Sequence, residues 1–343
     1  LMANEIEKVN TIAIADIEKF NAKTNDDIEK INAFEFTYSA TIAWVGSRAV
    51  LAGGHDGTSS ETPSNVIQYK TLASDANTQD FGDLNSARFG LKGSGSNIAR
   101  GVFAGGKTSS SNNVTDTGYI TVGSTGNASD FGDLNVGCRM GGAGGASNGT
   151  LLFSCGGRAA SGRADDMEYF TIASTGNGTD AGNLSEAKSS IAATNGNTRY
   201  LIAGGYDGGV SNENVVEYND FSTSANVSDF GDLGTTDQEG AFVASTVRAV
   251  YGRGDSSSDV LEFFTVASTG NATDFGDSTV SRASMNGWSD GTRGEYGGGD
   301  NEGGSSTNGS NIIDKITIAS AGNASDVGDL VTTVADGAAL SGT

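Results

Sequence analysis

The sequence predicts an all-β fold, a six-bladed β-propeller of four-stranded blades preceded by a short segment with its own repeat. Three observations predict it. A stretch with the character of YITVGSTGNASDFGDL recurs six times, beginning at Tyr69, Tyr119, Tyr169, Tyr218, Phe263 and Lys315. Each copy opens with alternating apolar and polar residues, passes through Gly- and Asn-rich turn chemistry, and ends in a second short apolar run, so it reads as strand, turn, strand. The copies are spaced at roughly fifty residues, a period that implies a closed array of like units.

Taken in chain order, the first element is residues 1–37. EIEKVN (5–10), DIEKFN (16–21) and DIEKIN (27–32) recur, with Ile6, Val9, Ile17, Phe20, Ile28 and Ile31 at the apolar positions. Asp16 and Asp27 read as helix N-caps and Asn10, Asn21 and Asn32 as helix-ending residues, which predicts short helical turns joined by bends. A continuous helix of eleven-residue period is the alternative. Either form is too small to bury its apolar face alone, so those six side chains are expected to anchor the chain to copies of itself, a trimer among the options, or to a larger assembly.

From residue 38 to 343 each unit carries four predicted strands. The first is rich in Gly, Ala and Ser, as in GLKGSGS (90–96) and AFVAST (241–246), and suits the crowded centre of a ring. The second ends in a glycine pair, such as Gly105–Gly106, which permits close approach and unusual backbone angles. The third carries Tyr or Phe and the fourth Phe–Gly–Asp–Leu; pairs such as Tyr119 with Phe131 are expected to pack between neighbouring blades. Ala181 and Val327 stand at the fourth-strand Phe position, so smaller groups are tolerated there. Ring closure falls to either the C-terminal VADGAALSGT or Ala40–Val45, between which the pattern does not choose.

These landmarks resemble the kelch repeat: Gly105–Gly106 after the second strand, Tyr119 on the third, Phe131 and Leu134 on the fourth, and Arg88–Phe89–Gly90 opening the next blade. The usual fourth-strand Trp is replaced by Phe. The resemblance implies architecture and says little about function.

Composition narrows the function classes. Net charge is −22 over 343 residues, which disfavours nucleic acid and anionic membrane surfaces as partners, and no apolar run is long enough to span a bilayer. The acid excess is read as a solubility device. His55 is the only histidine, too little imidazole for a copper-radical oxidase, and as a triad base it would sit in a flexible Gly/Ser loop. Arginines read as scattered, which argues against a sialidase-type site. Asp130 and Asp133, with their counterparts in other units, are expected to cap turns, with weak Ca²⁺ coordination as the alternative and no other cofactor. Cys138 and Cys155 are placed on the first and second strands of the third blade, facing across a turn near Ala146–Ser147, as two buried thiols or a disulfide.

What remains is recognition. The loops after the second strands and the connections between blades emerge at one end and differ in length and sequence, where binding usually resides. Asp56, Lys107, Arg158, Tyr206, Asp207, Asp255, Asp300 and Asn301 are the candidate ligand-binding residues there. The repeats, behind a head of Asp–Ile–Glu–Lys–x–Asn units, also look similar to structural proteins of tailed bacteriophages. That resemblance implies a virion location, contact with other virion proteins through the head, and a propeller displayed for host-surface glycan or receptor. A purely structural role within the particle and a glycan-cleaving enzyme are the alternatives.

Overall fold

The computed structural model describes residues 47–343 apart from 58–61, 109–112, 140–144, 197, 210–211, 223, 255–257, 302–308 and 343, together with six paired dipeptides between residues 8 and 35. Contacts divide the chain into two units, 1–41 and 42–343.

The first unit contains strand pairs where helical turns were expected. Lys8–Val9 pairs with Ile12–Ala13, Lys19–Phe20 with Lys23–Thr24, and Lys30–Ile31 with Phe34–Glu35, all antiparallel. The physical reason lies in the two-residue intervals Asn10–Thr11, Asn21–Ala22 and Asn32–Ala33. Asn in a two-residue loop favours a hairpin, and a turn or two of isolated helix is unstable in water. Val9, Phe20 and Ile31 lie on these strands, with side chains outside the description; Ile6, Ile17 and Ile28 lie outside the described residues.

Among the described residues the second unit is all-β and propeller-like, with six four-stranded antiparallel sheets. In order from innermost strand outward, sheet 1 is Ala338–Gly342, Arg48–Ala52, Val66–Thr71 and Gln79–Asp83. Sheet 2 is Gly93–Ser96, Arg100–Ala104, Asp116–Thr121 and Ser129–Asp133. Sheet 3 is Ala146–Ser147, Leu151–Cys155, Asp166–Thr171 and Thr179–Asn183. Sheet 4 is Ala192–Ala193, Arg199–Ala203, Glu213–Asp220 and Ser228–Asp237. Sheet 5 is Ala241–Ala244, Arg248–Gly252, Val260–Thr265 and Thr273–Asp277. Sheet 6 is Asn286–Ser289, Arg293–Gly297, Ile312–Thr317 and Ser325–Asp329. The C-terminal strand therefore completes the sheet begun by Arg48–Ala52, which resolves the choice the pattern left open; residues 40–45 lie outside the described residues.

Each sheet is tied to the next by the turn motif. The Asn of that turn accepts, through Oδ1, the main-chain N–H two residues beyond the fourth-strand Phe position of the preceding sheet. The pairs are Asp83 to Asn127, Asp133 to Asn177, Asn183 to Asn226, Asp232 to Asn271, Asp277 to Asn323, and finally Asp329 to Asn77, at 3.0–3.2 Å. Main-chain bonds run alongside, such as Gly126 N–H to Phe81 O and Thr78 N–H to Asp329 O. The last sheet is thus bonded to the first by the chemistry that joins all the others. We expect Asn177→Ala to cost about 1 kcal/mol, the scale of one net hydrogen bond, read as a lower urea midpoint at unchanged m-value.

The aromatic pairs divide their work differently from the expectation. Tyr119 meets Phe131 edge-on within sheet 2 at 6.0 Å, and Phe131 then meets Phe170 of sheet 3 at 5.9 Å. Tyr119 pairs with Ser129, and Phe131 lies two residues further along the same strand, so strand alternation sets both rings on one face. Where Ala181 replaces Phe, the cluster of Phe153, Tyr200 and Phe221 fills the space around it. The arginines are ordered, not scattered. Arg48, Arg100, Arg199 and Arg248 each lie over the third-strand ring of their own sheet at 4.1–4.6 Å. Each also donates to a carbonyl of the next sheet, at Val122, Ile172, Val266 and Ile318. The guanidinium suits this double use because it stacks and donates at once.

At the centre, small residues let the innermost strands approach. Ser94 Oγ donates to Ala339 O, Ser341 Oγ to Ser289 O and Ser289 Oγ to Ala244 O, at 2.6–2.9 Å. The space they leave is a cavity of about 20 Å³, room for a water and little else.

Candidate functional site

The glycine pairs build the loop face. Gly53, Gly105, Gly156, Gly204 and Gly298 have φ between +53° and +71°, a left-handed turn that ends the second strand. The next residues then bridge the connection entering the same sheet: His55 to Ala335, Lys107 to Phe89, Arg158 to Arg139, Tyr206 to Ser189, and Asp300 to Ala283. Loops and connections therefore share one end of the unit.

The sequence-predicted residues take different positions on that end. Asp56, Arg158 and Asp207 are exposed, Tyr206 and Asp300 half-buried, and Lys107 buried with its Nζ 5.0 Å from the Phe89 ring centre. Asp255 lies outside the described residues, and for Asn301 only the strand pairing to Arg282 is described. The structure brings Tyr206 and Asp207 beside Arg163 of the preceding loop, whose guanidinium lies 4.2 Å over the Tyr206 ring. It brings Asp56 beside the loop of sheet 6 through Gly309 N–H to Asp56 O at 3.3 Å. Asn113 Nδ2 donates to Arg158 O at 2.7 Å. Asp133 Oδ1 accepts from Thr115 Oγ1 at 3.0 Å, a turn-fastening role, and among the described residues no three His, Cys, Asp or Glu side chains gather to hold a metal.

His55 is buried rather than loose. Its Nδ1 accepts the Gly57 N–H at 3.0 Å, Nε2 lies 3.5 Å from Asp336 Oδ2, and its ring meets Phe89 edge-on. The cysteine placement is also corrected. Cys138 lies in the connection entering sheet 3, paired with Ala159, while Ala146–Ser147 is itself the first strand. Both thiols are free and buried. Burial pushes them up, to about 11 for Cys138 and about 12 for Cys155, so both stay protonated at neutral pH. Ellman's reagent is expected to find no thiol in the native protein and two after unfolding.

The centre of the loop face holds residues the sequence reading did not single out. Gly90 N–H donates to Asp336 O, Asp336 N–H to Ser284 O, Ser284 N–H to Glu239 O and Glu239 N–H to Ser190 O, at 2.8–3.3 Å. Each of these residues is left-handed, with φ of 52–61° even though four are not glycine. This head-to-tail run of main-chain bonds links Gly90, Asp336, Ser284, Glu239 and Ser190 on the loop face. Ser284 Oγ donates to Glu239 Oε2 at 3.2 Å. The signal was available: Glu239 and Asp336 stand two positions before a first strand, where two other units carry Ser190 and Ser284.

Burial, then the nearby charges of Asp336, Asp300 and Asp237, push the Glu239 carboxyl from 4.5 up to about 8, against the pull of the Ser284 hydrogen bond. The folded protein therefore holds a proton there that the unfolded chain releases near pH 4.5. Stability attached to this group is intact below that pH, falls as pH rises from about 4.5 to about 8, and stays reduced above. Glu239→Gln is expected to match the parent at pH 4 and exceed it at pH 9 in urea unfolding. Near neutral pH the buried Glu239 carboxyl therefore retains a proton and can donate a hydrogen bond.

Compared with models of protein families and with curated proteins, the chain matches none.

Proposed function

We propose that the six sheets are the blades of a closed, kelch-like six-bladed β-propeller. We further propose that the chain is a non-enzymatic structural protein of a tailed-bacteriophage virion, with its loop face held outward to bind host-surface glycan. In this reading residues 1–37 attach the chain to other virion proteins or to copies of itself. The observation that carries the proposal is the contrast between the two parts of each unit. Latches, arginine stacks and serine bridges repeat around the sheets, whereas the loops on one end differ in length and in charge. A frame of that kind holds unlike side chains in fixed positions without moving parts.

Sugar recognition draws support from the protonated Glu239 carboxyl on the loop face and from the half-buried Tyr206 ring stacked by Arg163. Aromatic faces and paired polar groups are the usual means of holding a sugar ring. The test is binding of the full chain to a glycan array and to candidate host cells. Tyr206→Ala combined with Asp207→Ala is expected to weaken binding at least tenfold with unchanged Tm. Absence of binding by the full chain, with the loop face covered by other proteins in particles, would replace adhesion by a purely structural role.

A further inference from the structure

One position breaks the sixfold rule in a way that points to a ligand. On the third strand of five sheets an acceptor side chain, Gln68, Glu168, Glu217, Glu262 or Asp314, takes the main-chain N–H four residues beyond the fourth-strand Phe position of the preceding sheet. The donors are Val331, Asn135, Ser185, Gly234 and Thr279, at 2.8–3.2 Å. In sheets 4 and 6 the same acid also neutralises a fully buried cation from the connection entering its sheet, Lys188 with Glu217 at 2.7 Å and Arg282 with Asp314 at 2.8 Å.

Sheet 2 keeps the cation and lacks the acid. Arg88 stands where Lys188 and Arg282 stand, with its side chain fully buried, and Gly118 stands where Glu217 and Asp314 stand. Arg88 Nη1 is satisfied by Asp116, through its carbonyl at 2.7 Å and its carboxylate at 2.5 Å. Its Nε and Nη2 are buried without a hydrogen-bond partner. A Cβ built on Gly118 would lie 3.4 Å from Nη2, 3.6 Å from Asn85 Nδ2 and 3.6 Å from Ala128 Cβ, with nothing nearer. A group placed where the other sheets carry an acceptor would thus meet only ordinary van der Waals contacts, and two of its three nearest neighbours are nitrogen donors. Asn85 is also the residue equivalent to the five N–H donors. Unpaired buried donors on a charged group are costly.

We propose that this space binds a small monovalent anion, chloride or a carboxylate of similar size, which takes the place of the missing side-chain acid between Arg88 and Asn85. Asp130, the register partner of Gly118, is exposed, so water screens its opposing charge. Desolvation draws the Arg88 guanidinium below its ordinary value while Asp116 opposes this; a bound anion would oppose it further.

The test compares Tm in sodium chloride with Tm in sodium gluconate, whose anion is too bulky, at equal ionic strength. An anion bound in the ten-millimolar range should raise Tm by roughly 5 °C at 500 mM chloride. Gly118→Glu, which supplies the acid covalently, is expected to abolish the chloride dependence and to melt at or above the parent in high chloride. Should that variant not fold, ³⁵Cl line broadening by the wild-type chain, or a bromide anomalous peak beside Arg88, decides the matter. Equal melting in the two salts without broadening or a bromide peak would overturn the proposal, as would chloride dependence that persists in a folded Gly118→Glu.

Discussion

Deleting residues 337–343 is expected to cost more than any single substitution in this protein, about 5 kcal/mol or more. The deleted strand pairs along its length with Arg48–Ala52, from Ala338 opposite Ala52 to Gly342 opposite Arg48. It buries Ala338, Ala339 and Leu340 and supplies the Ser341 hydroxyl to Ser289. Removing it forfeits the burial of one Leu and two Ala side chains together with a ladder of main-chain bonds, which sets the scale given. It also bares the edge of Arg48–Ala52, a template for pairing with another chain. The truncated protein should be largely insoluble at 37 °C, and a synthetic peptide of residues 337–343 should recover part of the soluble fraction. A truncated chain melting within 2 °C of the full one would show that closure through this strand contributes little.

Gly132→Ala is the second. Gly132 sits in the fourth strand of sheet 2 with φ of +146°, and a Cβ there would come 2.3 Å from the carbonyl oxygen of Gly176. Two costs combine: a backbone conformation that side chains resist, and a clash with main chain that cannot swing away. The same close approach recurs at Gly82, Gly231, Gly276 and Gly328, each against the turn of the next sheet. A loss of about 4 kcal/mol, or roughly 8 °C in Tm, is expected. Gly126→Ala separates the two costs, because Gly126 has φ of +155° but nothing within 4 Å of its Cβ. It should lose clearly less. Equal losses would mean that the clash relaxes and only backbone strain counts.

Both experiments bear on the same interface. The Phe–Gly–Asp segment of one sheet and the Gly–Asn turn of the next interlock through main-chain bonds, an Asn amide and a glycine that admits no side chain. This accounts for a turn motif that repeats more closely than turn formation alone would need. It also gives Asn127 a structural use, since its Oδ1 holds the Asp83 N–H.

Much of the frame was legible in the residues themselves, because strand period, glycine pairs and small-residue first strands are local signals. Tyr119, Phe131 and Gly105–Gly106 each declare a strand, a face or a turn without reference to distant chain. The errors came where distant chain decides. The Asp–Ile–Glu–Lys–x–Asn repeats match a helical cap and a hairpin loop about equally well, and pairing across Asn10, Asn21 and Asn32 selects the hairpin. Cys138 was assigned to a strand by symmetry, but the connection into sheet 3 is longer than its counterparts, so the symmetry slips there.

The chain's own pattern was enough to specify six like units, the order of strands within each apart from the one shared by the two ends of the chain, and the end on which unlike loops gather, since each unit repeats its apolar period and its turns. Only the packing of one sheet on the next could show that Arg100 reaches Ile172, that Glu239 and Asp336 are linked through Ser284 by main-chain bonds, and that Gly118 leaves Arg88 partly unanswered. Those relations join residues that lie some thirty to a hundred positions apart, and burial gives them their energetic weight.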